Sequence, residues 1–264
     1  MHPLDGPRAK IARAKDQLGS LQFESQRLSN RYVGTAIVGK FNKKTRMYEL
    51  RTDEGIRRAM TDILLTWSVM IGEIAHNLRS ALDGLVCQLA IISAPGRDWR
   101  FCKNQRTGFP IFLRGPKSAS RTRFMREKLH YLRPAYITRI EKLQPYKRGN
   151  GYRLSPLWLL HELNNADKHR LIPVVGGWLM GIALHPIEGG IVRLKSGMWL
   201  EPDAEMAQVE HAKREMGMYA EPFREIAFGD GCDDIKGLPV IGTLGRIADS
   251  VSEIVESFSD EFAE

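Results

Sequence analysis

"IGEIAHNLRSALDGLVCQLA", residues 71–90, is the stretch on which the reading of the chain turns. Ile71, Ile74, Ala75, Leu78, Leu82, Leu85 and Leu89 fall within a narrow arc at 100° per residue, the pattern of an α-helix with one face on a core. The helical period runs from about Thr61 to Ala94, and Pro95-Gly96 ends it. His76, Arg79 and Asp83 follow one another at i, i+3 and i+7, a polar stripe that borders the apolar face rather than opposing it. Groups at such a border sit half in a low dielectric, where a charge has to be paired or used.

A second helix, "LWLLHELNNADKHRLI" (157–172), carries a similar anomaly. Ser155-Pro156 supplies an N-cap and N1 pair, and Pro173 stops the run. Leu157, Leu160 and Leu171 define an inner face, yet Asn164 and Lys168 fall on the same arc with Asp167 beside them. The two polar seams predict contact between the helices, with Arg79–Asp167 or Asp83–Lys168 as cross-helix pairs. Asn77 and Arg170 complete the expected seam. One reading is a buried network of ion pairs and amides that fixes helix register. The other is an Arg, His and carboxylate cluster that binds or cleaves a phosphodiester. In that reading Arg79 holds phosphate, His76 or His169 acts as acid or base, and Asp83 and Asp167 orient them.

Outward from these helices, residues 8–29 place Ile11, Ala14, Leu18, Leu21 and Leu28 on one side of an amphipathic helix. "YVGTAIVGKF" and "RMYELR" flank the turn-like "NKKT" and read as a β-hairpin. "GFPIFLR" is a short strand candidate, Pro134 to Leu143 a helix, and "QPYKRGNGYRLSP" a loop. "IPVV", "WLMGIAL" and "IVRLKSGMWL", punctuated by Gly176-Gly177 and Gly189-Gly190, suggest antiparallel strands, with "EPFREIAFG" as one more. From Leu238 to Phe262 the apolar period is again helical. The expected class is α+β: a bundle of about four long helices with a small antiparallel β-sheet of hairpins. One domain over 1–264 is expected. Its helical core comes from about 1–30, 61–94, 134–172 and 238–262, and its hairpins from about 31–52 and 172–229.

The 264 residues are 43% hydrophobic and 27% charged, an ordinary balance for a globular chain with a real core. The net charge of +8 hides an asymmetry: residues 97–153 hold 16 Lys/Arg against 3 Asp/Glu, whereas 200–264 hold 5 against 16. The basic block also carries Trp99, Phe101, Phe109, Phe124, Tyr131 and Tyr136, which fits a face for RNA or another polyanion. The plainer alternative is that the acidic C-terminal part packs nearby and neutralises it. Cys87, Cys102 and Cys232 are odd in number and form no Cys-x-x-Cys pair. They predict neither a disulfide framework nor a zinc knuckle, and they point to a reducing cytoplasm.

The N-terminus has no apolar secretory region, and the longest uncharged run, 171–184, is too short to span a bilayer, so no membrane association is expected. Glycine-rich phosphate loops and a Gly-x-Ser-x-Gly elbow are missing. His161-Glu162 lacks the His four residues on that a zincin needs, and no spacing enforces a metal site among His76, His161 and His169. No metal or cofactor is expected.

In order, "IGEIAHNLRSALDGLVCQLA", "GFPIF", "LQPY" and "LWLLHELNNADKHRLI" resemble a group of uncharacterised bacterial proteins. That group's signature reads approximately His-Asn-Leu-Arg-Ser-Ala-Leu-Asp-His-Leu, followed by Asp-Lys-His-Arg, and the resemblance covers about residues 68–172. The chain is also similar, more weakly, to the HEPN superfamily, in which an Arg followed four to six residues on by His sits in a bundle helix. This second resemblance implies a metal-independent RNase, usually dimeric, or a degenerate nucleic-acid-binding relative. The pair would be Arg79 and position 84, but position 84 is Gly. Acid–base chemistry would then need His76 or His169 as a substitute.

Overall fold

The computed structural model describes residues 2–31, 37–42, 47–52, 54–94, 96, 98, 100, 102, 107–113, 128–129, 131–169, 171–172, 174–175, 191–194, 207–210, 226–229 and 234–262. Over these residues the chain is mainly helical. The α-helices are α1 (Asp5–Arg31), α2 (Glu54–Ile92), α3 (Pro134–Lys142), α4 (Pro156–His169) and α5 (Val240–Glu256). Short 3-10 segments cover Pro145–Leu154 and Ser259–Phe262.

The apolar period of α2 does what its spacing demands. All seven of the arc residues from Ile71 to Leu89 are fully buried. Burying side chains of this size stabilises the fold by about 1.5–3 kcal/mol each before conformational entropy is counted. Two helices cover much of that face. α1 runs antiparallel to α2, because the partner number on α2 falls as the number on α1 rises. Gln17 Nε2 donates to Glu73 Oε2 at 2.6 Å and Trp67 Nε1 donates to Glu24 Oε2 at 3.0 Å, while Lys10 bonds Ser80 Oγ further along. α5 is antiparallel to α1 in turn, tied by a bidentate Arg8–Glu256 pair and by Lys15–Asp249 at 2.9 Å. Of the apolar residues whose period predicts a helix here, Leu244, Ile247, Val251, Ile254, Val255, Phe258 and Phe262 are buried and Ile241 is half-buried.

Six strands are described. β1 (Ile37–Asn42) pairs antiparallel with β2 (Met47–Thr52), in the register Ile37↔Thr52 to Asn42↔Met47. β3 is Val174–Val175, β4 Ile191–Leu194, β5 Ala207–Glu210 and β6 Ala227–Phe228. β2 also pairs with β5, and β5 with β4, giving the order β1-β2-β5-β4; β3 pairs with β6. The expected "NKKT" turn, the "WLMGIAL" strand and both Gly-Gly pairs lie outside the described residues.

Several expectations are corrected. α2 begins at Glu54, seven residues before the expected Thr61, because "EGIRRAM" is rich in helix formers although the apolar period is not yet visible there. "GFPIFLR" forms no strand over its described residues, and the expected loop at 145–154 is 3-10 helical. Leu171, expected on the inner face of α4, is 52% exposed, because α4 ends at His169 and the periodicity no longer governs it. Ser155 caps α4 through its backbone, its carbonyl accepting Leu159 N–H at 3.0 Å, but its buried hydroxyl finds no partner among the described residues. Cys87 and Cys102 form a disulfide, although the cysteine spacing predicts no disulfide framework. Folding brings their Cα atoms to 5.6 Å, a closeness that a 15-residue separation in sequence does not reveal.

Candidate functional site

The polar stripe of α2 does not reach across to α4 for its charges. Arg79 Nη2 donates to Asp83 Oδ1 on its own helix at 2.9 Å, an i,i+4 pair. The same guanidinium nitrogen donates to the Phe109 carbonyl, and Asp83 Oδ1 accepts the Phe109 amide at 2.8 Å. Donor and acceptor of one residue's backbone are thus both held by a single ion pair. Phe109 is 1% exposed, and a buried unpaired peptide group costs about 1–3 kcal/mol, so the pair satisfies groups that would otherwise oppose burial. The segment 107–113 runs close to the helix here: a Cβ on Gly108 would lie 3.1 Å from Asp83 Oδ1.

Gln144 continues the same arrangement. It follows α3, is completely buried, and donates through Nε2 to Pro110 O at 2.8 Å and to Ile140 O at 3.2 Å. Its Oε1 accepts the Phe112 amide at 3.0 Å. Side chains therefore satisfy backbone groups of a segment that belongs to no helix or sheet. One turn beyond Asp83, the Cys87–Cys102 disulfide ties the start of this region to α2, and Thr107 bonds the Cys102 carbonyl through both its amide and its hydroxyl. The expected Arg79–Asp167 and Asp83–Lys168 pairs are not formed. Asp167 packs instead against Gly72, where a Cβ would lie 2.0 Å from Oδ1, two turns of helix away from Arg79.

α2 and α4 are in contact, as the two motifs predict. Asp167 against Gly72 and His161 within electrostatic range of Arg79 make the helices antiparallel. His161 is half-buried, its ring 5.2 Å from that of Trp158, and Asn165 Nδ2 lies 2.9 Å from its Nε2. Burial first, then the positive charges of Arg79 and Lys168, hold its pKa down to about 4, so the ring is neutral at pH 7. Trp158 Nε1 and Arg153 Nη1 each donate at 2.9 Å to Asp234, which closes the other flank of α4. The pKa of Glu162 is raised by burial and by Asp234.

Each expected site residue can now be placed. Arg79 and Asp83 are together on the Phe109 backbone. His76, Asp167 and Lys168 are exposed, and Asn164 is buried. Asn77 faces the opposite helix, donating to Gln17 Oε1 on α1 at 3.3 Å, so it is not part of the α2–α4 seam. Arg170 and the side chain of His169 lie outside the described residues. Gly84 is about 140° around α2 from Arg79 and faces α1, where an added Cβ would meet Pro7 Cγ at 3.3 Å. Sequence reasoning missed Gln144 and gave His161 no place in the seam. "LQPY" carried the signal for the first, and the four-residue spacing to Asn165 that for the second.

Among the described residues the basic block meets the acidic C-terminal part at Glu261 and at Asp234. Arg139 pairs with Glu261 at 2.6 Å, also bonding the Ser257 carbonyl, and Arg153 pairs with Asp234 at 2.9 Å. Lys142 and Arg148 are exposed. Among the described residues no cluster of His, Cys, Asp and Glu is arranged to hold a metal, and no helix is long and apolar enough to cross a membrane. Comparison with family models, curated proteins and solved structures gives no match.

Proposed function

We propose that the chain is a non-catalytic interaction protein whose α2–α4 seam is structural, built as one α+β domain in which the described strands form small antiparallel sheets that accompany the helices. One observation carries this reading: Arg79 and Asp83 are both engaged by the backbone of Phe109. Both bonds are made by Nη2, so only Nη1 and Nε are left to meet a phosphate, which would also have to approach beside the Asp83 carboxylate. An imidazole at position 84 would sit on the α1 side, away from Arg79.

The partner we favour is a polyanion such as RNA, met through the basic face of 97–153 in a cytoplasmic setting. Exposed Lys142 and Arg148 support it. A second reading, a HEPN-like RNase with a displaced base, draws on the neutral ring of His161 close to Arg79 and Lys168.

The test is incubation of the wild type and of Arg79→Ala with labelled single-stranded RNA in chelator, following cleavage, anisotropy and melting together. The structural reading expects salt-dependent binding, no cleavage, and a large loss of melting temperature in the variant. Cleavage that both His161→Ala and Arg79→Ala abolish, with fold retained, would replace it with the RNase reading.

A further inference from the structure

Between the start of α1 and the later turns of α2 lies a cavity of about 500 Å³, open to solvent. It is lined by His2, Pro7, Lys10, Ser80, Gly84 and Cys87, among others. Cys87 is therefore both bonded to Cys102 and part of the wall of this cavity. The two cysteines differ in access. Cys87 is half-buried and reached from the cavity, whereas Cys102 is 7% exposed. Lys10 is the ammonium of the described lining, and its bond is to the uncharged Ser80 hydroxyl, so its charge is not neutralised there. The described lining contains no carboxylate.

We propose that Cys87–Cys102 is an exchangeable disulfide and that the cavity admits a small thiol bearing carboxylate groups to Cys87. The thiolate of the small molecule attacks Cys87 Sγ. The Cys87–Cys102 bond breaks, and Cys102 leaves as a thiolate that takes a proton from water. A second small thiol attacks the outer sulfur of the mixed disulfide, releasing Cys87 as a thiol. In sum two small thiols are oxidised to their disulfide and the protein pair is reduced by two electrons. Lys10 attracts the carboxylate-bearing thiol and steadies the negative sulfur. Gly84, one turn before Cys87, leaves its part of the cavity wall without a side chain. A purely structural disulfide has no need of such an opening.

The bond lies just before the stretch clasped by Arg79 and Asp83, so exchange removes the disulfide tie to α2 while that clasp remains. Reduction is then compatible with a folded protein.

The experiment equilibrates the full chain in glutathione buffers of graded ratio, quenches with acid, alkylates, and maps each cysteine by peptide mass spectrometry. The expected result is a glutathione adduct on Cys87 and none on Cys102 at intermediate ratios, with both thiols free at the reducing end and melting still cooperative. Lys10→Ala should slow formation of the adduct by about threefold to tenfold. Cys102→Ser in oxidised glutathione should accumulate the Cys87 adduct. A pair that stays bonded in millimolar reduced glutathione, an adduct confined to Cys102, or two free thiols in fully oxidised buffer would each overturn the proposal.

Discussion

The Asp83 carboxylate accepts the amide of Phe109 at 2.8 Å through the same oxygen that pairs with Arg79. Removing it unpairs the amide of a residue that is 1% exposed and leaves a largely covered guanidinium with the Phe109 carbonyl but no counter-charge there. Asp83→Ala should therefore lower stability by about 2–4 kcal/mol, more than a surface ion pair is worth. Asp83→Asn keeps an acceptor oxygen for Phe109 and should cost about half as much. Urea unfolding of both variants measures this, and equal losses would mean that charge rather than the backbone bond is what matters.

Gln144 offers an independent check of the same segment. It donates to Pro110 O and Ile140 O and accepts from Phe112 N–H, all from a fully buried position. Gln144→Glu is nearly isosteric but loses both donors and buries a charge. It should be destabilising by about 3 kcal/mol or more near neutral pH and recover in part in acid, where the carboxyl is protonated and regains one donor. The pH dependence of its melting temperature relative to wild type reads this out. A flat difference would show that 107–113 is held in some other way.

How far the sequence could be read depended on what made each contact. The helices were legible because a side-chain period reports which face is buried, and Ile71 to Leu89 obey it without exception. The partner of Arg79 was not legible, because it is a backbone carbonyl, and backbone groups leave no mark in residue identity. The i,i+4 spacing to Asp83 was present from the start, but a cross-helix pair with Asp167 satisfied the same charges on paper. "GFPIFLR" reads as a short strand candidate, and nothing in it shows that Asp83 and Gln144 side chains take its backbone groups in place of a neighbouring strand. Leu171 failed for the opposite reason: its period was right, but the helix had already ended.

The close approach of α2 and α4 makes a prediction about glycine. Within a helix, Gly→Ala ordinarily stabilises by about 1 kcal/mol. At Gly72 the new Cβ would fall 2.0 Å from Asp167 Oδ1, so the carboxylate must swing away or the helices must part. Gly72→Ala alone should be destabilising, whereas in an Asp167→Ala background the same change should be neutral or stabilising. The double-mutant cycle should give a coupling of about 1–2 kcal/mol. Additive effects would show that Asp167 yields freely and that Gly72 does not set the helix spacing.

His161 predicts how stability responds to acid. Its pKa is held at about 4 in the folded chain, against about 6.5 in an unfolded one. Between these values the unfolded state binds the proton and the folded state does not, so stability rises with pH across this window. The contribution is fully present above about pH 6.5 and is lost as pH falls towards 4. Because the ring is only half-buried, solvent screening reduces the effect to the order of 1 kcal/mol. His161→Gln, which keeps a polar group beside Asn165 but cannot titrate, should flatten the stability profile between pH 4 and 6.5 while leaving the carboxylate-driven loss at lower pH. If the variant and the wild type fall in parallel through that window, His161 is protonated as easily in the folded chain as in the unfolded one, and neither its burial nor the charges of Arg79 and Lys168 hold it neutral in solution.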